Sequence, residues 1–64
     1  MPYEVRSNWL GFPVKNFSSK GSAIQYAMKA SRKYPDVRVE ILHTRYSSYG
    51  DIEVIMKNGK FLKG

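Results

Sequence analysis

A chain of 64 residues, 42 % of them apolar, with no cysteine and a single histidine, has room for one thin-cored domain, since folding at this size removes only ~60 % of the unfolded chain's surface from water. Disulfides are excluded, and five acids with His43 are a poor supply for a metal site that wants three or four ligands, so stability must come from packing or from a partner chain. Eleven Lys and Arg against five Asp and Glu leave a formal charge of +6, which attracts acidic partners at long range and says nothing about fold.

Tyr3, Val5 and Ser7 alternate with Glu4, Arg6 and Asn8, a period of two that predicts a first strand with one buried face. After Trp9-Leu10-Gly11 a second short strand is expected from Phe12 to Phe17, with Phe12 and Val14 on one face. Pro13 lacks an amide hydrogen and so assigns that strand to a sheet edge.

A helix is expected from about Ser19 to Tyr34. Ser18 or Ser19 can cap its start by accepting from an orphan amide of the first turn. Pro35 ends it, having no amide hydrogen and disfavouring the helical region for Tyr34. At ~100° per residue, Ala23, Ile24, Ala27, Met28, Ala30, Ser31 and Tyr34 fall on one side, the core face. The other side carries Ser22, Gln25, Lys29, Arg32 and Lys33, with Tyr26 at its border, and the helix contains no acid.

Val37, Val39 and Ile41 alternate with Arg38, Glu40 and Leu42, the clearest strand pattern in the chain, and this strand should pack under the helix. A loop from His43 to Gly50 is expected next. Ile52, Val54 and Met56 then alternate with Glu53, Ile55 and Lys57, and Asn58-Gly59 predicts a two-residue turn, because both central positions of a type I′ turn need positive φ. Lys60 to Lys63 should pair back as a short fifth strand, with Met56 opposite Phe61 and Ile55 opposite Leu62. The expected class is therefore α+β: a single helix on one face of a small antiparallel sheet, in the order β-β-α-β-β with that C-terminal strand added, as one domain over residues 1–64.

One helix covers only one sheet face. Leu42, Ile55 and Leu62 should point away from it, forming either a second small cluster with the N-terminal strands or an exposed apolar interface suited to a homodimer.

Two places carry candidate binding residues. The first is the helix, with Lys29, Arg32 and Lys33 on its outer side, Lys20 nearby and Tyr26 at the border. Lysine and arginine near a helix C-terminus are favoured by its dipole, but a helix built only for solvation usually mixes signs so that neighbours three or four apart attract. The second is the stretch His43 to Gly50, where Arg45 can pair phosphates or carboxylates and Tyr46 and Tyr49 can stack on bases. Tyrosine and serine are equally the residues of protein-binding loops. A binding surface should join the helix cations to Arg45 and to Lys57 or Lys60.

Catalytic groupings are lacking. His43, Ser47, Ser48 and Asp51 crowd one short stretch with nothing to make an oxyanion hole, and the glycines show no phosphate-cradling spacing. No enzyme activity, metal or cofactor is expected. No run approaches the ~20 apolar residues of a membrane span or the apolar core of a secretory signal, so the expectation is a soluble cytoplasmic protein, and the sequon Asn16-Phe17-Ser18 reads as a chance match.

With Phe12-Pro13-Val14 ahead of the helix and Ala23-Ile24 followed by Ala27 inside it, the element order over residues 3–45 resembles two kinds of short phage and mobile-element module. These are the arm-type DNA-binding domains of integrases and the small inhibitors of host RNA polymerase. The resemblance lies in apolar spacing and transfers no functional residue. It implies a small, non-enzymatic binder, whose partner is nucleic acid or, alternatively, an acidic host protein.

Overall fold

The computed structural model describes the backbone of residues 2–46 and 49–64 and, within these, every side chain except those of residues 45, 46 and 49. Strands β1 (Tyr3–Ser7) and β2 (Lys15–Phe17) precede helix α1 (Lys20–Lys33), and strands β3 (Val39–Tyr46), β4 (Tyr49–Lys57) and β5 (Lys60–Lys63) follow it. They form one sheet in the order β2-β1-β3-β4-β5, with every neighbouring pair antiparallel. Because β2 and β3 both run antiparallel to β1, they are parallel to each other. The β2–α1–β3 connection is therefore a crossover that passes over β1, and it lays the helix along one sheet face. The α+β class, the helix between the second and third strands and the fifth strand are all as the sequence predicts.

The helix begins and ends where its signals place it. Ser19 is extended (φ −127°, ψ 148°) and its hydroxyl accepts from Ser22 N at 3.3 Å. At the other end Tyr34 N donates to Ala30 O at 2.9 Å, and Pro35 stops the ladder. Ala23, Ala27, Ala30 and Ser31 are buried against the sheet, above Val5, Val39, Ile41, Val54 and Met56, each at most 1 % exposed. Burying each of those five larger side chains is worth about 1.5–3 kcal/mol. The alanines let the backbone approach them closely with no rotamer entropy to lose.

Ser31 is the polar member of this interior. Its hydroxyl donates to Met28 O at 3.0 Å and accepts from Gly59 N at 2.9 Å, so the buried group is satisfied both as donor and as acceptor. Asn58 and Gly59 have φ of 52° and 74°, the positive values the type I′ turn requires. The bond to Ser31 docks that turn on the end of α1, close enough that a Cβ on Gly59 would stand 3.0 Å from Arg32 Cγ.

Four expectations need correction. β2 covers only Lys15–Phe17; Phe12 instead closes a turn, its amide donating to Trp9 O at 3.0 Å. Phe12 folds into the core at 5 % exposure while Val14 stands at 58 %, so the two do not share a strand face. The third strand starts at Val39, because Val37 N is bonded to Tyr34 O in the turn leaving the helix. Residues 43–50 were expected as a loop, but β3 and β4 extend over residues 43–46 and 49–50, with His43 opposite Asp51, Thr44 opposite Gly50 and Tyr46 opposite Tyr49. Polar residues are no barrier to a ladder, which is bonded through the backbone. Finally, Met56 does face Phe61, but a bulge sets Ile55 opposite Lys63 and leaves Leu62 as the extra residue, so Ile55 and Leu62 are not opposed.

A second bulge sits between β3 and β4: Ile41 opposes Val54 and Leu42 opposes Ile52, leaving Glu53 as the added residue. On the sheet face away from α1, Leu42 is 8 % exposed and Ile55 half-buried, while Leu62 is 62 % exposed on the edge strand. Charged residues cross the same face: Arg6 reaches Glu40 at 3.8 Å and Glu4 at 3.9 Å, and Arg38 reaches Glu40 at 3.3 Å. Of the three apolar side chains, only Leu62 is exposed. Among the described residues no helix is long and apolar enough to cross a membrane.

Candidate functional site

The strand register divides the cations between two ends of the domain. Where α1 ends, β1 also ends (Ser7 opposite Val39), β2 begins, and β4 turns into β5. Lys15, Lys29, Arg32, Lys33, Lys57 and Lys60 all lie exposed at this end, the first four on the helix side, while Lys57, next to buried Met56, and Lys60 opposite it alternate to the other sheet face. Lys57 lies directly opposite Lys60, and the Asn58-Gly59 turn between them abuts Arg32. Among the described residues none of the six comes within 4 Å of a carboxylate. The acids nearest in the fold are Asp36, exposed in the turn after the helix, and Glu40, already held by Arg6 and Arg38.

Aromatic rings sit among these cations. Tyr34 is flanked by Trp9, whose ring centroid is 5.5 Å away, and by Phe12 at 6.1 Å in an edge-to-face arrangement. Between α1 and the segment leading into β2 lies a groove of ≈ 340 Å³, walled by Phe12, Pro13, Tyr26 and Tyr34 and rimmed by Lys15, Lys29 and Lys33. The ammonium of Lys33 stands 5.5 Å from the centroid of Tyr34, and that of Lys15 stands 5.1 Å from Tyr26 and 5.7 Å from Phe17. Each such contact is worth about 0.5–1 kcal/mol at an exposed position. A shallower depression on the other flank of the helix is lined by Ile24, Met28, Arg32 and Phe61, so Lys29 borders both.

The opposite end is built differently. Lys20 forms an ion pair with Glu53 at 3.2 Å, and His43 Nδ1 lies 3.0 Å from the other oxygen of the same carboxylate. The His43 ring is stacked on Tyr3 at 4.6 Å. Strict alternation would turn Glu53 away from the helix, between Ile52 and Val54. The added residue of the bulge brings it round to the helix side, a re-aiming that bulges commonly perform. The hydrogen bond from Lys20, and after it the one from His43, hold the Glu53 carboxyl below the usual carboxylate range.

The sequence-predicted residues are thus separated. Lys29, Arg32, Lys33 and Tyr26 share the helix side, and Lys57 and Lys60 stand at the same end but on the opposite sheet face. Lys20 is neutralised by Glu53 at the far end of a 14-residue helix, about 21 Å long. Arg45, Tyr46 and Tyr49 belong to the β3–β4 hairpin at that far end, and their side chains, like Ser47 and Ser48, lie outside the described residues. β3 runs back along the helix, so the backbone of Arg45 stands at the opposite end of the sheet from the end where α1 terminates. Sequence reasoning missed Trp9, Phe12 and Lys15. A readable signal was there: aromatic and basic residues interleave from Trp9 through Phe12 and Lys15 to Phe17. Among the described residues no three His, Asp or Glu are grouped to hold a metal ion. No family model matches the chain, and no curated protein or solved structure matches it.

Proposed function

We propose that this protein is a small nucleic-acid-binding domain that docks on phosphates through the end of the fold where α1 terminates. The observation that carries the reading is the set of six exposed cations there without a carboxylate within ion-pair reach. No one structural device accounts for the set. The helix dipole favours Arg32 and Lys33, which occupy its last turn, by about 0.3–1 kcal/mol each, but it does not act on Lys57 or Lys15. Lysine on an edge strand blunts unwanted pairing, which covers Lys15 on β2 and Lys60 on β5 but not Lys57 on β4 or Lys29 on the helix. Lys57 and Lys60 face each other directly, an arrangement that destabilises a hairpin and that an anionic partner would relieve.

The test is the dependence of affinity on salt. Neutralising four to six phosphates gives a slope of log affinity against log salt of roughly −3 to −5. The triple variant Lys29→Gln, Arg32→Gln, Lys33→Gln should flatten that slope by about 2 to 3. Binding that is insensitive to salt, or equally steep in the variant, overturns the reading. Specific recovery of one acidic protein from nuclease-treated lysate, with no nucleic-acid affinity of the purified domain, would replace it with docking on a host protein.

A further inference from the structure

Building on that nucleic-acid reading, we infer that the groove beside Tyr34 receives an unstacked base, so that the basic end selects single strands over duplex. Three observations lead there. The groove is walled by ring faces and rimmed by lysines with no acid in its lining, so it offers stacking and phosphate contacts within one nucleotide's reach. Its volume of ≈ 340 Å³ is at the small end of ligand pockets, suited to one ring system rather than to a helix or strand. The ring of Tyr34 is also held in place beforehand, by Trp9 and Phe12 on its flanks and by its own backbone bonds to Ala30 and Val37.

The ring faces are not vacant in the free protein. Lys33 stands over Tyr34 and Lys15 over Tyr26, so a base can stack only by displacing an ammonium. Displacing both gives up about 0.5–1 kcal/mol each, against ~1–3 kcal/mol for stacking a base on an aromatic side chain. The exchange is favourable when the ligand that brings the ring also brings a phosphate to take the freed ammonium. A duplex brings phosphates but keeps its ring faces stacked inside. A neutral aromatic molecule brings a ring without the anion. Only an unpaired nucleotide meets both conditions.

The experiment compares a fluorescently labelled mixed-sequence single strand with a blunt duplex of the same length at one salt concentration, using the purified full chain. The single strand should bind at least ~10-fold tighter, and Tyr34→Leu should weaken it by about 5- to 150-fold while leaving the duplex unchanged and Tyr34→Phe close to the parent. Tyr34 also packs on Trp9 and Phe12, so Tyr26→Leu, on the opposite wall, provides a second variant expected to show the same selective loss. Equal affinity for single strand and duplex, with Tyr26→Leu and Tyr34→Leu each affecting both alike, overturns the base-in-groove inference and leaves phosphate docking standing. Absence of salt-dependent binding to either nucleic acid overturns both.

Discussion

Replacing Ser31 with alanine tests how the hairpin turn is fastened to the helix. The Ser31 hydroxyl accepts the Gly59 amide at 2.9 Å and donates to Met28 O at 3.0 Å. Ser31→Ala removes one oxygen and leaves almost no cavity. Met28 O keeps a second lone pair in use, but the Gly59 amide loses its acceptor. An unsatisfied buried donor costs about 1–3 kcal/mol, and because Gly59 is only half-buried the lower part of that range applies. Alanine's better helix propensity returns at most ~0.7 kcal/mol. The net loss is about 0.3–2 kcal/mol, which for a domain of this size lowers Tm by roughly 1–15 °C. Urea melts should show a lower midpoint with an unchanged slope, and amide exchange at Gly59 should accelerate relative to the β3 core. A variant as stable as the parent, with Gly59 still protected, would show that the turn is docked by something other than this bond.

Two further perturbations address the rest of the fold. The carboxyl of Glu53 is held below its ordinary value of 4.5, first by Lys20 and then by His43. Its stabilising contribution is therefore present above pH 4.5 and lost as the pH falls through the lower, folded value. Glu53→Gln should melt below the parent at neutral pH, and the gap should close on acidification; a gap that persists or widens in acid refutes the assignment. Ala27→Leu forces extra volume between α1 and the sheet at a fully buried position and should destabilise by about 1–3 kcal/mol, read as a lowered urea midpoint. An unchanged midpoint would mean that the helix is not packed as closely as the alanines imply.

Features governed by local rules were legible in the chain. Ser19 and Pro35 bound the helix because a cap and a missing donor act on their immediate neighbours, and Asn58-Gly59 makes its turn because both residues tolerate positive φ. The bulges at Glu53 and Leu62 were not legible. One added residue in a strand leaves no local signature, yet it turns Glu53 toward Lys20 and separates Leu62 from Ile55. The polar run His43-Thr44-Arg45-Tyr46 read as a loop because alternation of apolar residues fades there, whereas pairing needs only a free backbone. The candidate site was half visible. Spacing alone puts Lys29, Arg32 and Lys33 on one helix side. The Ser31 bond that docks the Asn58-Gly59 turn beside Arg32 and the Trp9–Phe12 turn that completes the groove depend on tertiary contacts.

The position of β1 between β2 and β3 has a consequence for how the chain assembles. The first of the five strands in chain order is an interior strand of the finished sheet, with Tyr3 opposite His43 and Ser7 opposite Val39. Val5 therefore has no core to enter until β3 has been synthesised, and the slow step of folding is expected to be this distant closure rather than the local β4–β5 hairpin. The fifth strand, β5, adds at the margin. A nascent chain halted before β5 already holds every strand of the interior, whereas one lacking its first residues would leave β2 with no neighbour to pair with.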